Sequence, residues 1–121
     1  MRFVLSLAVL LAACAGLART APTPAIISTF GCNADSVRYE WETARGQGVA
    51  IGDPLCRVIG RWGTPEVLSS IQTPSYTDVS VRWRGSPTSY VAAWFWTDTT
   101  WARRTGVRPG VWLVRQISQH Q

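Results

Sequence analysis

Residues 51–65 read IGDPLCRVIGRWGTP, and two prolines with glycines between them leave room for one short element. Leu55, Val58, Ile59 and Trp62 recur at i, i+3, i+4 and i+7, which puts four apolar side chains on one helical face and turns Arg57 and Arg61 away from it. Asp53 is the expected N-cap. Pro54 then occupies the first helical position, where its missing N–H costs nothing. Gly63 falls where a left-handed C-cap is wanted, and Pro65 blocks continuation. The glycines are punctuation, because neither the GxxxxGK[ST] order nor GxGxxG is present to make a phosphate loop. A helix of two turns with one apolar face has to pack against another layer.

The chain after Pro65 supplies that layer. Val79, Val81 and Trp83 alternate with Ser80, Arg82 and Arg84. Ser89–Thr97, SYVAAWFWT, is apolar on both faces, and Val111–Ser118, VWLVRQIS, begins apolar on both sides and ends alternating. These are three strands. RGSPTS between the first two is a hairpin turn, and Asp98–Gly110, with Arg103, Arg104 and Arg108, reads as a solvated loop. Before the helix, Ser36–Thr43 alternates Val37, Tyr39, Trp41 and Thr43 with Ser36, Arg38, Glu40 and Glu42, which predicts a strand. The alternative is a helix capped by Asp35, with Val37, Trp41 and Ala44 on one stripe and Gly46 as its stop. At 121 residues the chain can build one core. The expected fold is α+β: a three- to four-stranded antiparallel sheet with one or two short helices packed on one face, spanning residues 32–121.

The first residues belong to another category. Met1-Arg2 is a short positive start, and Phe3–Ala13 is an apolar stretch too short to span a bilayer but suited to a secretory signal over residues 1–13. LAAC at Leu11–Cys14 resembles the bacterial lipobox, which implies a lipidated Cys14 at the mature N-terminus. The alternative is an ordinary signal peptide cut after Ala15 or Ala18. Residues 14–31 then comprise the lipidated cysteine and a flexible tether, since Ala15–Thr29 is rich in Ala, Pro and Thr with almost no charge. Export leaves Cys32 and Cys56 as an even pair in a compartment that permits disulfides, with two unpaired thiols as the alternative. With His120 the only histidine, the two cysteines cannot complete a tetrahedral zinc shell without carboxylates, so neither a metal nor any other cofactor is expected.

No catalytic residues stand out. General acid–base work needs positioned groups, but His120 is penultimate. Asp35, Glu40, Glu42, Asp53, Glu66, Asp78 and Asp98 show no motif spacing, so an enzyme is not expected. All 12 basic residues are arginine against 7 acidic ones, a formal charge of +5. Arg82, Arg84, Arg103, Arg104 and Arg108 can share one basic face; its target would be anionic lipid, because export removes the chain from nucleic acid, and the alternative is a solvated face that only aids solubility. Of seven tryptophans, Trp62, Trp83 and Trp94 are expected in the core. Trp96 and Trp101, with Arg103, Arg104 and Arg108, form the candidate binding surface, since Trp and Arg dominate interface hot spots.

Gly52, Val58, Trp62-Gly63 and Pro65 follow the pattern G-x5-[VI]-x3-[aromatic or Leu]-G-x-P. That pattern is similar to the SmpA/OmlA type of small outer-membrane lipoproteins. Trp83-Arg84 stands where those domains carry a W-x-Y-like element, here without the tyrosine, and Asp53-Pro54 replaces their usual Met-Thr. The resemblance implies a non-enzymatic scaffold in outer-membrane assembly or envelope integrity, anchored to the membrane, facing the periplasm and bound to an envelope protein. The fold it implies also looks like that of the β-lactamase inhibitory proteins. The alternative is therefore a secreted or periplasmic inhibitor or ligand-binding domain with an exposed aromatic patch on its sheet.

Overall fold

The computed structural model describes residues 19–85, 87–106 and 108–120, with only the backbone of Trp101. Cys14 and the signal segment lie outside the described residues. The elements run α1 (Pro24–Thr29), α2 (Ala34–Ala44), α3 (Leu55–Trp62), β1 (Glu66–Gln72), β2 (Tyr76–Trp83), β3 (Thr88–Trp96), α4 (Thr99–Thr105) and β4 (Trp112–His120). The strands form one antiparallel sheet in the order β1-β2-β3-β4, so the fold is α+β.

Helix α3 buries Leu55, Val58, Ile59 and Trp62, the four residues of the predicted face. Its start differs from expectation. Pro54, not Asp53, is the N-cap, and no side chain caps the helix. The cause is the sheet: the Gly52 N–H donates to the Val114 carbonyl at 2.8 Å, the Val114 N–H donates to the Asp53 carbonyl at 2.9 Å, and Pro54 bridges Leu113. Residues 52–54 are thus laid along the edge of β4 before a helix can begin. The Asp53 carboxylate instead accepts the Ala50 N–H at 2.9 Å and pairs with Arg57 at 3.0 Å. Gly63 has the expected positive φ of 92°, but its ψ of −159° is extended rather than left-handed helical. A Cβ there would collide with the Thr20 carbonyl, so the position is reserved for glycine twice over.

The strand expected over Ser36–Thr43 is helix α2, as in the alternative reading. Asn33, not Asp35, caps it, accepting the Ser36 N–H at 2.9 Å. Val37 and Ala44 are buried on one stripe. Alternation and the helical stripe share Val37 and Trp41, and the docking of α2 on α3 decides between them. That docking is close: a Cβ on Gly60 would stand 2.6 Å from Glu40 Cβ and 3.3 Å from the Val37 carbonyl. Arg61 crosses the joint to Glu40 at 3.0 Å. Gly60→Ala is therefore expected to destabilise the domain by about 1–3 kcal/mol from overpacking, despite the better helix propensity of alanine. Urea unfolding would measure it, and a stabilised variant would show that the helices can move apart freely.

From Arg19 onward the segment expected to be a tether is folded. The Thr64 N–H donates to the Thr20 carbonyl at 3.0 Å, the Thr64 hydroxyl donates to the Ala21 carbonyl at 2.8 Å, and the Thr23 N–H donates to the Thr64 hydroxyl at 3.0 Å. Thr23 then caps α1 through the Ile26 N–H, and Pro24 sits in its first turn. Phe30, only 5% exposed, enters the core beside Val37, Val58, Val79 and Val114. Pro24, one of the prolines that suggested a tether, in fact starts a helix.

Cys32 and Cys56 are joined in a disulfide with Cα atoms 5.6 Å apart, linking the turn before α2 to α3. The other core residues come from β2, β3 and β4: Val79, Val81, Trp83, Val91, Ala93 and Val114. The fourth strand, β1, was not among the three read from sequence. Leu68 is an extra residue between the pairs Val67↔Val81 and Ser69↔Ser80, so a bulge breaks the alternation that marks a strand. Every residue of β1 is exposed. The expected loop 98–110 likewise contains α4.

Candidate functional site: a neutral groove beside a free strand edge

The helical layer covers β2–β4 and leaves β1 bare. Between the end of α1 and the sheet this leaves an open groove of about 700 Å³. Phe30, Phe95, Trp112 and Val79 make its apolar surface, while Val67, Ser70 and Gln72 of β1 and Thr77 of β2 line the sheet side. Phe30 meets Trp112 edge-on at 5.3 Å and Trp112 meets Phe95 at 5.2 Å, so three rings form a continuous wall. The remaining lining residues are Ser28, Thr29, Gly31, Thr97 and Gly110, and none of the lining residues ionises. Such a groove can take up apolar or neutral groups and form hydrogen bonds, but its walls provide no acid or base.

β1 borders the groove and is the outer strand of the sheet. The opposite edge, on β4, is partly occupied by residues 52–54. β1 carries three exposed apolar side chains, Val67, Leu68 and Ile71. Apart from Glu66 at its end it has none of the charges or prolines that usually guard an edge. Sequence reading missed the groove because Val79, Phe95 and Trp112, in strands that were read, meet there with residues from stretches taken as tether, unassigned chain and loop. The one signal available was Phe30, a lone aromatic in a run of Ala, Pro, Ile and Thr.

The other face of the sheet, away from the helices, is aromatic. Tyr76 pairs with Trp96 in register and its ring lies 4.8 Å from that tryptophan and 6.0 Å from Trp94. A bulge in β4 leaves Arg115 unpaired in the ladder. Its guanidinium reaches back across the face to both Asp78 oxygens, at 2.8 and 3.1 Å, and lies 5.6 Å from the Trp94 ring. Trp94 is therefore half-buried on this face, not in the core as expected. Trp96, expected to be exposed, is 6% exposed. The side chain of Trp101 is outside the described residues; on this face Tyr76 and Trp94 form a half-buried aromatic patch. His120 is the last residue of β4, packed edge-on against Tyr90 at 5.7 Å.

The arginines do not form the single face that was expected. Arg82 and Arg84 stand at the Glu66 end of β1 and β2, both bonded to that carboxylate, at 2.6 and 3.3 Å. Arg103 and Arg104, exposed on α4, and exposed Arg108 belong to the connection between β3 and β4, at the other end of the strands. Six residues of β2 separate the two ends, roughly 20 Å.

Among the described residues no three His, Cys, Asp or Glu side chains converge as a metal site requires, and no helix is long and apolar enough to cross a membrane. Compared with models of protein families, with curated proteins and with solved structures, the chain matches none.

Proposed function

We propose that the chain is a non-enzymatic binding or scaffold module of the bacterial envelope, anchored through Cys14 and facing the periplasm from the outer membrane, as its resemblance to the SmpA/OmlA lipoproteins implies. The observation that carries this reading is the uncharged groove of about 700 Å³ beside an unguarded strand edge. Its size suits a ligand pocket, and its chemistry suits recognition rather than turnover. An extended segment of an envelope protein can add to β1 by main-chain hydrogen bonds and place alternate apolar side chains in the groove. Nucleic acid is not a partner in this reading, and no cofactor is needed.

The test is site-specific photocrosslinking of the full chain in cells, with the crosslinker at Ser70 in the groove or at Thr43 on the exposed side of α2. A discrete protein adduct from Ser70 and none from Thr43 is expected. Equal adducts from both positions, or none from Ser70, would sink the groove. The intact mass of the same preparation, beside Cys14→Ala, should show added acyl mass that the variant lacks. Its absence in the wild type would remove the anchor.

A second reading, a secreted or periplasmic inhibitor or ligand-binding domain, is favoured by one observation: the Tyr76–Trp94 patch with Arg115 and Asp78 on the open face of the sheet. Aromatic and arginine side chains of this kind anchor protein interfaces. Loss of a captured partner in Trp94→Ala but not in Ser70→Arg would select this reading over the first.

A further inference from the structure

β1 is the outer strand of the sheet, and its two sides are committed to different tasks. The Thr73 N–H donates to the Tyr76 carbonyl at 2.8 Å, so these two residues form a hydrogen-bonded pair at the turn into β2. Backbone groups alternate in direction along a strand. Ile71 and Ser69 therefore turn theirs inward to Asp78 and Ser80, while Gln72 and Ser70 hold their N–H and C=O groups outward. The same alternation places the side chains: Ser70 and Gln72 line the groove, and Ile71, 61% exposed, lies on the opposite face beside Asp78. Before Ser69 the bulge at Leu68 interrupts the ladder, and after Thr73 the chain turns at Pro74, which has no N–H.

A strand that joins this edge must bring outward groups of its own, and β1 itself meets the demand in one register. An antiparallel copy of β1 centred on Ile71 sets Ser70 against Gln72 on each side of the centre, and each such pair exchanges two main-chain hydrogen bonds. On the groove side the Ser70 hydroxyl faces the Gln72 amide of the second copy. On the other side Ile71 meets its own mate, which covers an exposed apolar side chain. Centring on Ser70 would set Gln72 against the bulge residue Leu68, and centring on Gln72 would set Ser70 against Pro74, which has no donor. No like charges meet, because Glu66, the one charged residue of β1, lies about 17 Å along the strand from the centre.

We propose that β1 pairs antiparallel with β1 of a second copy of this chain about a two-fold axis at Ile71. The axis is perpendicular to the sheet, so the two four-stranded sheets join edge to edge and both grooves open on the same face. The helices of each copy cover β2–β4, which leaves the two bare strands as the floor of one neutral trough. The inference rests on the β1 edge named in the proposed function and adds its regulation: the second copy occupies the outward groups of Ser70 and Gln72, and an envelope segment must displace it to add to the sheet.

The test uses the purified full mature chain. In the pair the Cα atoms of Ile71 and its mate lie about 4.5 Å apart, within the span of a disulfide, whereas those of Ser69 lie about 14 Å apart. Under mild air oxidation Ile71→Cys is therefore expected to give a covalent dimer at least about tenfold faster than Ser69→Cys or Thr43→Cys, with the wild-type chain as the blank. Equal rates at the three positions, or a faster rate at Ser69→Cys, overturn the proposal. Light scattering of the wild type at about 100 µM should give twice the chain mass and fall on dilution, since two short strands bury less than a standard interface of about 1,600 Å². Ile71→Lys sets like charges together at the axis and leaves the bonds of β1 to β2 intact, so it should be monomeric at the same concentration. A monomeric wild type, or a dimeric Ile71→Lys variant, also overturns the proposal. No foreign protein is present in these samples, so either result leaves the envelope partner to the Ser70 crosslink in cells. A Ser70 adduct that carries only a second copy of the chain would defeat that partner and support the dimer.

Discussion

Removal of the Cys32–Cys56 bridge, by reduction or by Cys32→Ser with Cys56→Ser, is expected to cost the domain about 3 kcal/mol, the loop-closure entropy that a cross-link of this span withholds from the unfolded chain. For a domain of roughly a hundred residues that corresponds to a drop in melting temperature of more than about 10 °C. Urea unfolding with and without reductant would measure it. The reduced form should also show a steeper dependence on denaturant, because its unfolded state exposes more surface. Matching midpoints in the two conditions would mean that the bridge does not form in solution. The consequence reaches the candidate site: Cys32 lies two residues after Phe30, which forms part of the groove wall and packs edge-on to Trp112. Reduction should therefore weaken the crosslink from Ser70 before it unfolds the sheet.

Trp83→Ala is expected to be the most destabilising single substitution, at about 3–5 kcal/mol. Trp83 is 1% exposed, meets Trp62 edge-on at 5.4 Å, and donates its indole N–H to the Gly63 carbonyl at 2.7 Å. It therefore joins β2, α3 and the glycine at the end of α3 in one contact. Trp83→Phe separates the two contributions: most of the packing remains, but the Gly63 carbonyl loses its donor, which costs about 1–3 kcal/mol for a buried acceptor. Trp94→Ala, on the half-exposed face, should change stability far less and serves as the control. Chemical denaturation followed by far-ultraviolet circular dichroism would rank the three. A Trp83→Ala midpoint close to that of Trp94→Ala would show that Trp83 is not the keystone of the core.

The readings that held were local ones. Leu55, Val58, Ile59 and Trp62 lie on one helical face because a period of 3.6 residues is written into the chain itself, β2 is readable for the same reason at a period of two, and β3 and β4 are readable as short runs rich in apolar and β-branched or aromatic residues. The hairpin at RGSPTS and the pairing of Cys32 with Cys56 also follow from residue type and count. The readings that failed needed knowledge of a neighbour. Residues 36–44 satisfy both periods, and only the contact of Glu40 and Val37 with Gly60 resolves them as a helix. Asp53 has the chemistry of a cap, yet the ladder with Val114 takes its backbone first. β1 carries a bulge and buries nothing, so it left no pattern to read.

The amino-acid order by itself determined the α+β class, the short helix and its buried face, the tryptophan-rich strands and a strongly basic charge. Tertiary structure alone decided where that charge sits and what remains open. Arginines separated by a few residues ended together at Glu66, while others of the same sign were carried to the opposite end by the direction of the strands. The groove exists because the helices cover three strands of a four-stranded sheet. That is a matter of how wide one layer is against another, and no local period in the chain encodes it.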